Sequence, residues 1–161
     1  MPGIFRRVQA LFPCVTESIA RTVSFVKQYG YIETASGYRL RVPRNKAYAG
    51  VNYIVQGTEG DIVKTALTNC NSYIRSNFHT TQVVIEDPTL SKCKLILQVH
   101  DELLFSLQKI LGRRKIVTTL NDLAIIMQNA GAEFGVPCIC KPEIIEDNWA
   151  EAKKLNEWTA V

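Results

Sequence analysis

The stretch LILQVHDELLF, residues 95–105, leaves this chain few ways to fold. Apolar, β-prone residues flank Gln98, His100, Asp101 and Glu102. Burying four such polar groups singly costs roughly 1–3 kcal/mol each, so one continuous core strand is excluded. A turn must lift His100 and Asp101 out at a tip, with CKLILQV and ELLFSL as the two arms. A tip on a rigid hairpin is a good place to hold a carboxylate against a metal ion. The same letters also make an ordinary polar turn.

Around this hairpin the pattern alternates between helical and strand periods. Val15, Ile19, Val23 and Val26 repeat at helical spacing over 15–29, and Gly30 follows as a left-handed terminator. YIETASGYRLRVP reads as a hairpin about a Ser-Gly turn, closed by Pro43. A helix is predicted from about Glu59 to Phe78, with Ile62, Ala66, Cys70 and Tyr73 in one stripe widened by Val63, Leu67 and Ile74. TQVVIED is expected to be a strand ending in a Pro88 turn, before the arms of the tip hairpin. A third helix is expected from about Arg114 to Ala130, with Ile116, Leu120, Leu123, Met127 and Ala130 in register. VPCICKPEII reads as a strand, and DNWAEAKKLNEW as an Asp/Asn-capped final helix. That order predicts an α+β fold with an antiparallel sheet packed against helices, in one domain spanning 1–161.

Composition narrows the function classes. Hydrophobic residues at 47% and charged residues at 21% describe an ordinary globular chain, with no apolar run of membrane-spanning length. A net charge of +4 suits an acidic partner such as DNA without demanding one. The five cysteines form no CxxC pair, which disfavours zinc and suggests reduced, packed thiols in a cytosolic setting. On a strand, Cys138 and Cys140 would share a face. MPGIFRRVQALF has no cleavage signature and reads as a helix start, not a signal peptide.

A second polar stretch is NYIVQGTEGDIVKTAL, residues 52–67. The amides of Asn52 and Gln56 can donate and accept, so they can read acceptors in a DNA minor groove. Gly57 and Gly60 let a backbone approach closely. Alternatively, Thr58 is a helix N-cap, Asp61 its acidic partner in the first turn, and Gln56 a solvated loop residue.

Taken together, QGTxxDIxKxA followed some thirty residues later by QVHDELxF resembles DNA polymerase family A, the bacterial polymerase I type. QVHDE is similar to that family's motif C, and the Gln-Gly-Thr segment to the opening of the long helix before it. FPCVTESIARTVSFVKQYGYIET, SGYRLRVP and VP followed by DNWAEAK resemble further family segments, so the likeness runs from about residue 11 to 154. It implies an incomplete polymerase palm whose Asp101 helps to bind two Mg²⁺ ions roughly 4 Å apart. His100 would contact the primer terminus, and Glu102 would stand beside the metals as a second acidic ligand. Gln56 and Asn52 would contact DNA through the minor groove, Gln98 would be a further DNA contact, and Arg39 and Arg41 would lie near the primer-template, a looser match. Several positions depart from the family: Tyr48 stands where an arginine is usual, Ile54 where a proline is, and Glu59-Gly60 where two alanines are. The segment from Pro43 to Asn52 is short for the family, and the usual histidine after NWAEAK is missing. These departures suggest a divergent, phage-like member acting in a bacterial host's cytoplasm.

The motif A aspartate, the fingers helix that holds the incoming dNTP, and the thumb would all lie upstream. The resemblance therefore implies a chain inactive alone and a second polypeptide carrying those parts, against which an apolar palm face is buried. A non-catalytic palm-fold module that grips DNA or regulates a polymerase remains open, as does an inactive fragment.

Overall fold

The computed structural model describes residues 10–78 and 91–159, which divide into two compact units, Met1–Asp61 and Ile62–Val161. The expected strand over TQVVIED with its Pro88 turn lies outside the described residues, as does most of the reading of the N-terminal dozen.

In the first unit, helix α1 runs Pro13–Tyr29, with Pro13 suiting the first turn, where no backbone donor is needed. It stops at Gly30, whose φ of 78° lets its N–H reach the carbonyl of Val26. Strands β1 (Tyr31–Glu33) and β2 (Arg39–Arg41) pair antiparallel, Ile32 opposite Leu40. Gly37 turns the loop at φ 83°. A 3-10 segment, Arg44–Ala49, leads into helix α2, Gly50–Phe78. Val26, Ile32, Val42 and Ala47 form the small core, with Val23, Leu40 and Ile54 packed on it.

Two expectations are corrected here. Helix α2 begins at Gly50, not near Glu59, so Thr58 is no N-cap and Asn52 and Gln56 are helical. Gly57 and Gly60 are both helix-interior residues. Gly57 is required by a close approach, since a Cβ there would lie 2.6 Å from Thr34 Cγ2 and 2.7 Å from Leu40 Cδ1. Second, only the end of the α1 stripe is buried. Val26 is fully covered, whereas Val15 and Ile19 are 51% and 42% exposed.

In the second unit, the α2 stripe buries Val63, Ala66, Cys70 and Ile74. Strands β3 (Cys93–Val99) and β4 (Glu102–Leu107) form the predicted hairpin, and helix α3 (Arg113–Ala132) presents Ile116, Leu120, Leu123 and Ala130 to the core. Cys70, Ile74, Cys93 and Leu123 form its centre, under Tyr73, Leu95, Leu103 and Phe105. A second cluster joins Ile116, Leu120 and Leu155.

The C-terminal region differs from its reading. VPCICKPEII gives only strand β5 (Glu143–Ile144), paired with β6 (Lys153–Lys154). Even so, Cys138 and Cys140 are both half-buried while Ile139 between them is 83% exposed, so the strand-like alternation persists without a paired ladder. DNWAEAKKLNEW opens only a 3-10 turn at Trp149–Glu151, and helix α4 starts at Leu155 (Leu155–Thr159). The fold is α+β, its strands forming three antiparallel pairs among the described residues.

Burial sets an alkaline limit to this core. The thiols of Cys70 and Cys93 are pushed up to about 12 and about 11, chiefly by burial, and the Tyr73 phenol to about 12 by burial and its 2.6 Å hydrogen bond to Asp122. All three favour the proton in the folded state more than in the unfolded chain, where thiols release it near pH 9 and tyrosine near pH 10. Stability from this source is full below about pH 9 and is lost between there and about pH 12. Thermal unfolding midpoints are expected to fall across that window, and Tyr73→Phe to flatten the part above pH 10.

Candidate nucleic-acid and metal site

The tip is built by a two-residue hairpin turn. Val99 pairs with Glu102, leaving His100 and Asp101 as the loop. His100 has φ 53°, the one non-glycine among the described residues with positive φ. Positive φ at the first central position alone is the pattern of a type II′ turn, which ordinarily has glycine there. Gln98 Nε2 donates 3.1 Å to the carbonyl of His100, bracing that backbone. Gln98, expected as a DNA contact, thus has its amide engaged within the turn. Gln98, His100, Asp101 and Glu102 are all exposed.

Two residues before Gln98 the register slips, Leu95 facing Phe105 but Leu97 facing Leu104. Ile96 is therefore a β-bulge, a device that re-aims the side chains beyond it.

In the first unit, Asn52 and Gln56 are exposed and four residues apart, on one face of α2. The opposite face docks the β1–β2 hairpin. Gly57 abuts Thr34 and Leu40. Thr58 Oγ1 accepts 3.1 Å from the Ala35 N–H, and Asp61 Oδ2 accepts 2.5 Å bonds from Thr34 Oγ1 and Ser36 Oγ. At 3.6 residues per turn, Asp61 lies about 180° around the helix from Asn52. The clamp centred on Asp61 was not read from sequence. The signal for it was Gly57 and Asp61 four apart, opposite a Thr-Ala-Ser-Gly turn.

Arg39 and Arg41 stand on the outer face of that hairpin, because Ile32 and Leu40 face inward against α2. They are not brought together with Asn52 and Gln56. Arg39 Nε donates 2.8 Å to Glu33, and its guanidinium lies 4.9 Å from the Tyr31 ring centre. The Glu33 hydrogen bond, with the charges of Tyr31 and Glu33, holds the Arg39 pKa above its usual value.

Asp101 and Glu102 are hard oxygen donors of the kind Mg²⁺ prefers. Among the described residues no three His, Cys, Asp or Glu side chains converge. No helix among these residues is long and apolar enough to cross a membrane.

If His100 were only a turn residue, glycine would serve better. His100→Gly is expected to raise stability by roughly 0.5–1 kcal/mol, the relief of a left-handed side chain less the chain entropy of glycine. Denaturant titration reads it as a higher midpoint at unchanged slope.

The hairpin tip carries His100, Asp101 and Glu102, and the first turns of α2 carry Asn52 and Gln56. The sequence model of DNA polymerase family A matches residues 4–151, and this chain belongs to that family. It is 31% identical over 156 residues to the DNA polymerase I of Chloroflexus aurantiacus, covering 91% of this chain and 15% of that protein. It is 26% identical over the same length to the DNA polymerase I of Pseudomonas aeruginosa, and 25% identical over 158 residues to DNA polymerase DpoZ of Salmonella phage PMBT28, 23% of which is covered. The chain thus spans about a seventh of the bacterial relatives' length.

Proposed function

We propose that this chain supplies the palm part of a DNA-directed DNA polymerase site, presenting Asp101 and Glu102 to two Mg²⁺ ions while a second polypeptide brings the motif A aspartate, the fingers and the thumb. The observation that carries this reading is the tip itself: a histidine kept in a conformation that suits glycine, beside an exposed aspartate, on a braced two-residue turn. Backbone strain of this kind costs about 1–3 kcal/mol and clusters at functional sites.

When bound, such an ion pair lowers the pKa of an attacking hydroxyl and stabilises a leaving phosphate. The chain's own residues do the rest. Asp101, at the end of the rigid hairpin, holds negative charge where cations are needed, and Glu102 adds to it. His100 reaches the primer terminus from the same turn, while Gln98 keeps its backbone fixed. Asn52 and Gln56, one turn apart on α2, offer amide donors to minor-groove acceptors common to all base pairs, which tests pair geometry and not sequence.

An apolar stripe supports the second polypeptide. Val15 and Ile19 are 51% and 42% exposed, in helical register with the buried end of α1, and Leu11 and Phe12 just before the helix are 72% and 56% exposed. Such a run fits burial against the fingers and thumb parts of a polymerase.

Primer extension with Mg²⁺ tests the proposal, using this chain, its candidate second polypeptide, and their mixture. Extension confined to the mixture is expected. A silent mixture of two folded proteins overturns the catalytic reading and leaves DNA gripping or polymerase regulation by this chain as the alternative.

A further inference from the structure

The outer face of the β1–β2 hairpin carries chemistry that the metal tip and the Asn52–Gln56 face do not use. Phe25 and Tyr29 are one turn apart on α1, their ring centres 4.6 Å apart. Tyr31 meets Phe25 edge-on at 5.3 Å and Tyr29 at 6.3 Å. Phe25 and Tyr29 are 38% and 50% exposed, so these rings are not simply core. Arg39, held by Glu33, lies over Tyr31, and Arg41 pairs with Tyr31 across the strands.

We propose that Phe25, Tyr29 and Tyr31, with Arg39 and Arg41, form a second nucleic-acid surface that binds a single strand. Three partly exposed rings beside two cations match what unpaired bases need: π faces to stack on and charge for the backbone. A duplex cannot use the rings, because its bases are already stacked on each other. Arg39 is pre-set for this use, since Glu33 fixes the guanidinium and removes part of its rotamer freedom before any ligand arrives. The surface is separated from Asn52 and Gln56 by the hairpin and the width of α2, about 10 Å for the helix alone. It therefore takes a strand other than the minor groove those residues would read, such as unpaired template.

The inference goes beyond the polymerase reading and needs neither Asp101 nor a second polypeptide, so a silent extension mixture leaves it standing. The test is fluorescence anisotropy of the full chain with a labelled single-stranded oligothymidine and with a blunt duplex of equal length. The single strand is expected to bind more tightly. Tyr31→Leu and Tyr29→Leu, which keep apolar bulk but remove the ring, are each expected to weaken it about tenfold. Arg41→Gln is expected to reduce the salt slope by about 0.7. Trp149→Leu, an exposed aromatic in the other unit, should change nothing. Tyr29→Leu guards against misfolding as the cause, because that ring is half exposed, and circular dichroism checks both variants. Equal binding of the duplex, absence of oligothymidine binding, or ring variants that bind like the parent would each overturn the proposal.

Discussion

Asp101→Ala is expected to lower primer extension by the two-polypeptide mixture about a thousandfold or more, while the chain keeps its fold. The size follows from what the carboxylate would do. Losing a ligand to ions that stabilise transition-state charge removes several kcal/mol, and each 1.4 kcal/mol is a factor of ten. The fold is spared because Asp101 is exposed at a turn, where substitutions usually stay within about 0.5 kcal/mol. Glu102→Ala is expected to lower it less, since Glu102 would stand beside the metals without being their main ligand, and it also occupies a ladder position opposite Val99. Single-turnover extension with saturating DNA separates the two effects, because loss of a metal ligand lowers the rate at full occupancy. An Asp101→Ala mixture that extends primer at the parental rate would remove this aspartate from the chemistry.

The tip could be predicted because its residues conflict with their surroundings. Four polar groups inside an apolar run have one cheap solution, and the chain takes it, with β3 ending at Val99 and β4 starting at Glu102. The cores of α2 and α3 were equally legible, since Ala66, Cys70, Leu120 and Leu123 recur at helical spacing and bury accordingly.

What sequence misled on was glycine and alternation. The helix start expected near Glu59 left Gly57 before the helix, yet it lies inside, where the hairpin side chains press on it, a tertiary reason that local pattern does not carry. VPCICKPEII alternates as a strand should, but a strand also needs a partner ladder, and only Glu143–Ile144 finds one, in β6. The strain at His100 was likewise invisible, because residue type predicts a turn without predicting which member takes positive φ. The division of labour around α2 was hidden for a related reason. Arg39, Arg41, Asn52 and Gln56 are near each other in sequence, and only the inward packing of Ile32 and Leu40 shows that the arginines face away.

Glycine also supplies the largest expected change in stability, and its sign depends on context. In a helix interior, Gly→Ala ordinarily gains up to about 1 kcal/mol. Gly60→Ala is expected to follow that rule, since a Cβ there meets nothing within 4 Å. Gly131→Ala is expected to do the reverse. Gly131 is buried in the last turn of α3, where the chain folds back so that the N–H of Val136 donates 2.9 Å to its carbonyl. An added Cβ would fall 2.6 Å from the carbonyl oxygen of Val136, a backbone atom that cannot rotate aside, and would overlap Cys138 Sγ still more closely. Relief would require moving the 134–138 segment, and with it Cys140, whose thiol is 3.8 Å from Met127 Sδ. Overpacking of this kind costs about 1–3 kcal/mol, and the clash with backbone argues for the upper part of that range. After the helix-propensity gain is subtracted, Gly131→Ala should destabilise by about 2 kcal/mol, a drop in melting temperature of roughly 4–8 °C for a chain of this size. Calorimetry on the pair decides it: Gly60→Ala rising while Gly131→Ala falls fits the close approach, and Gly131→Ala rising would show that the 134–138 segment does not pack on α3 as described.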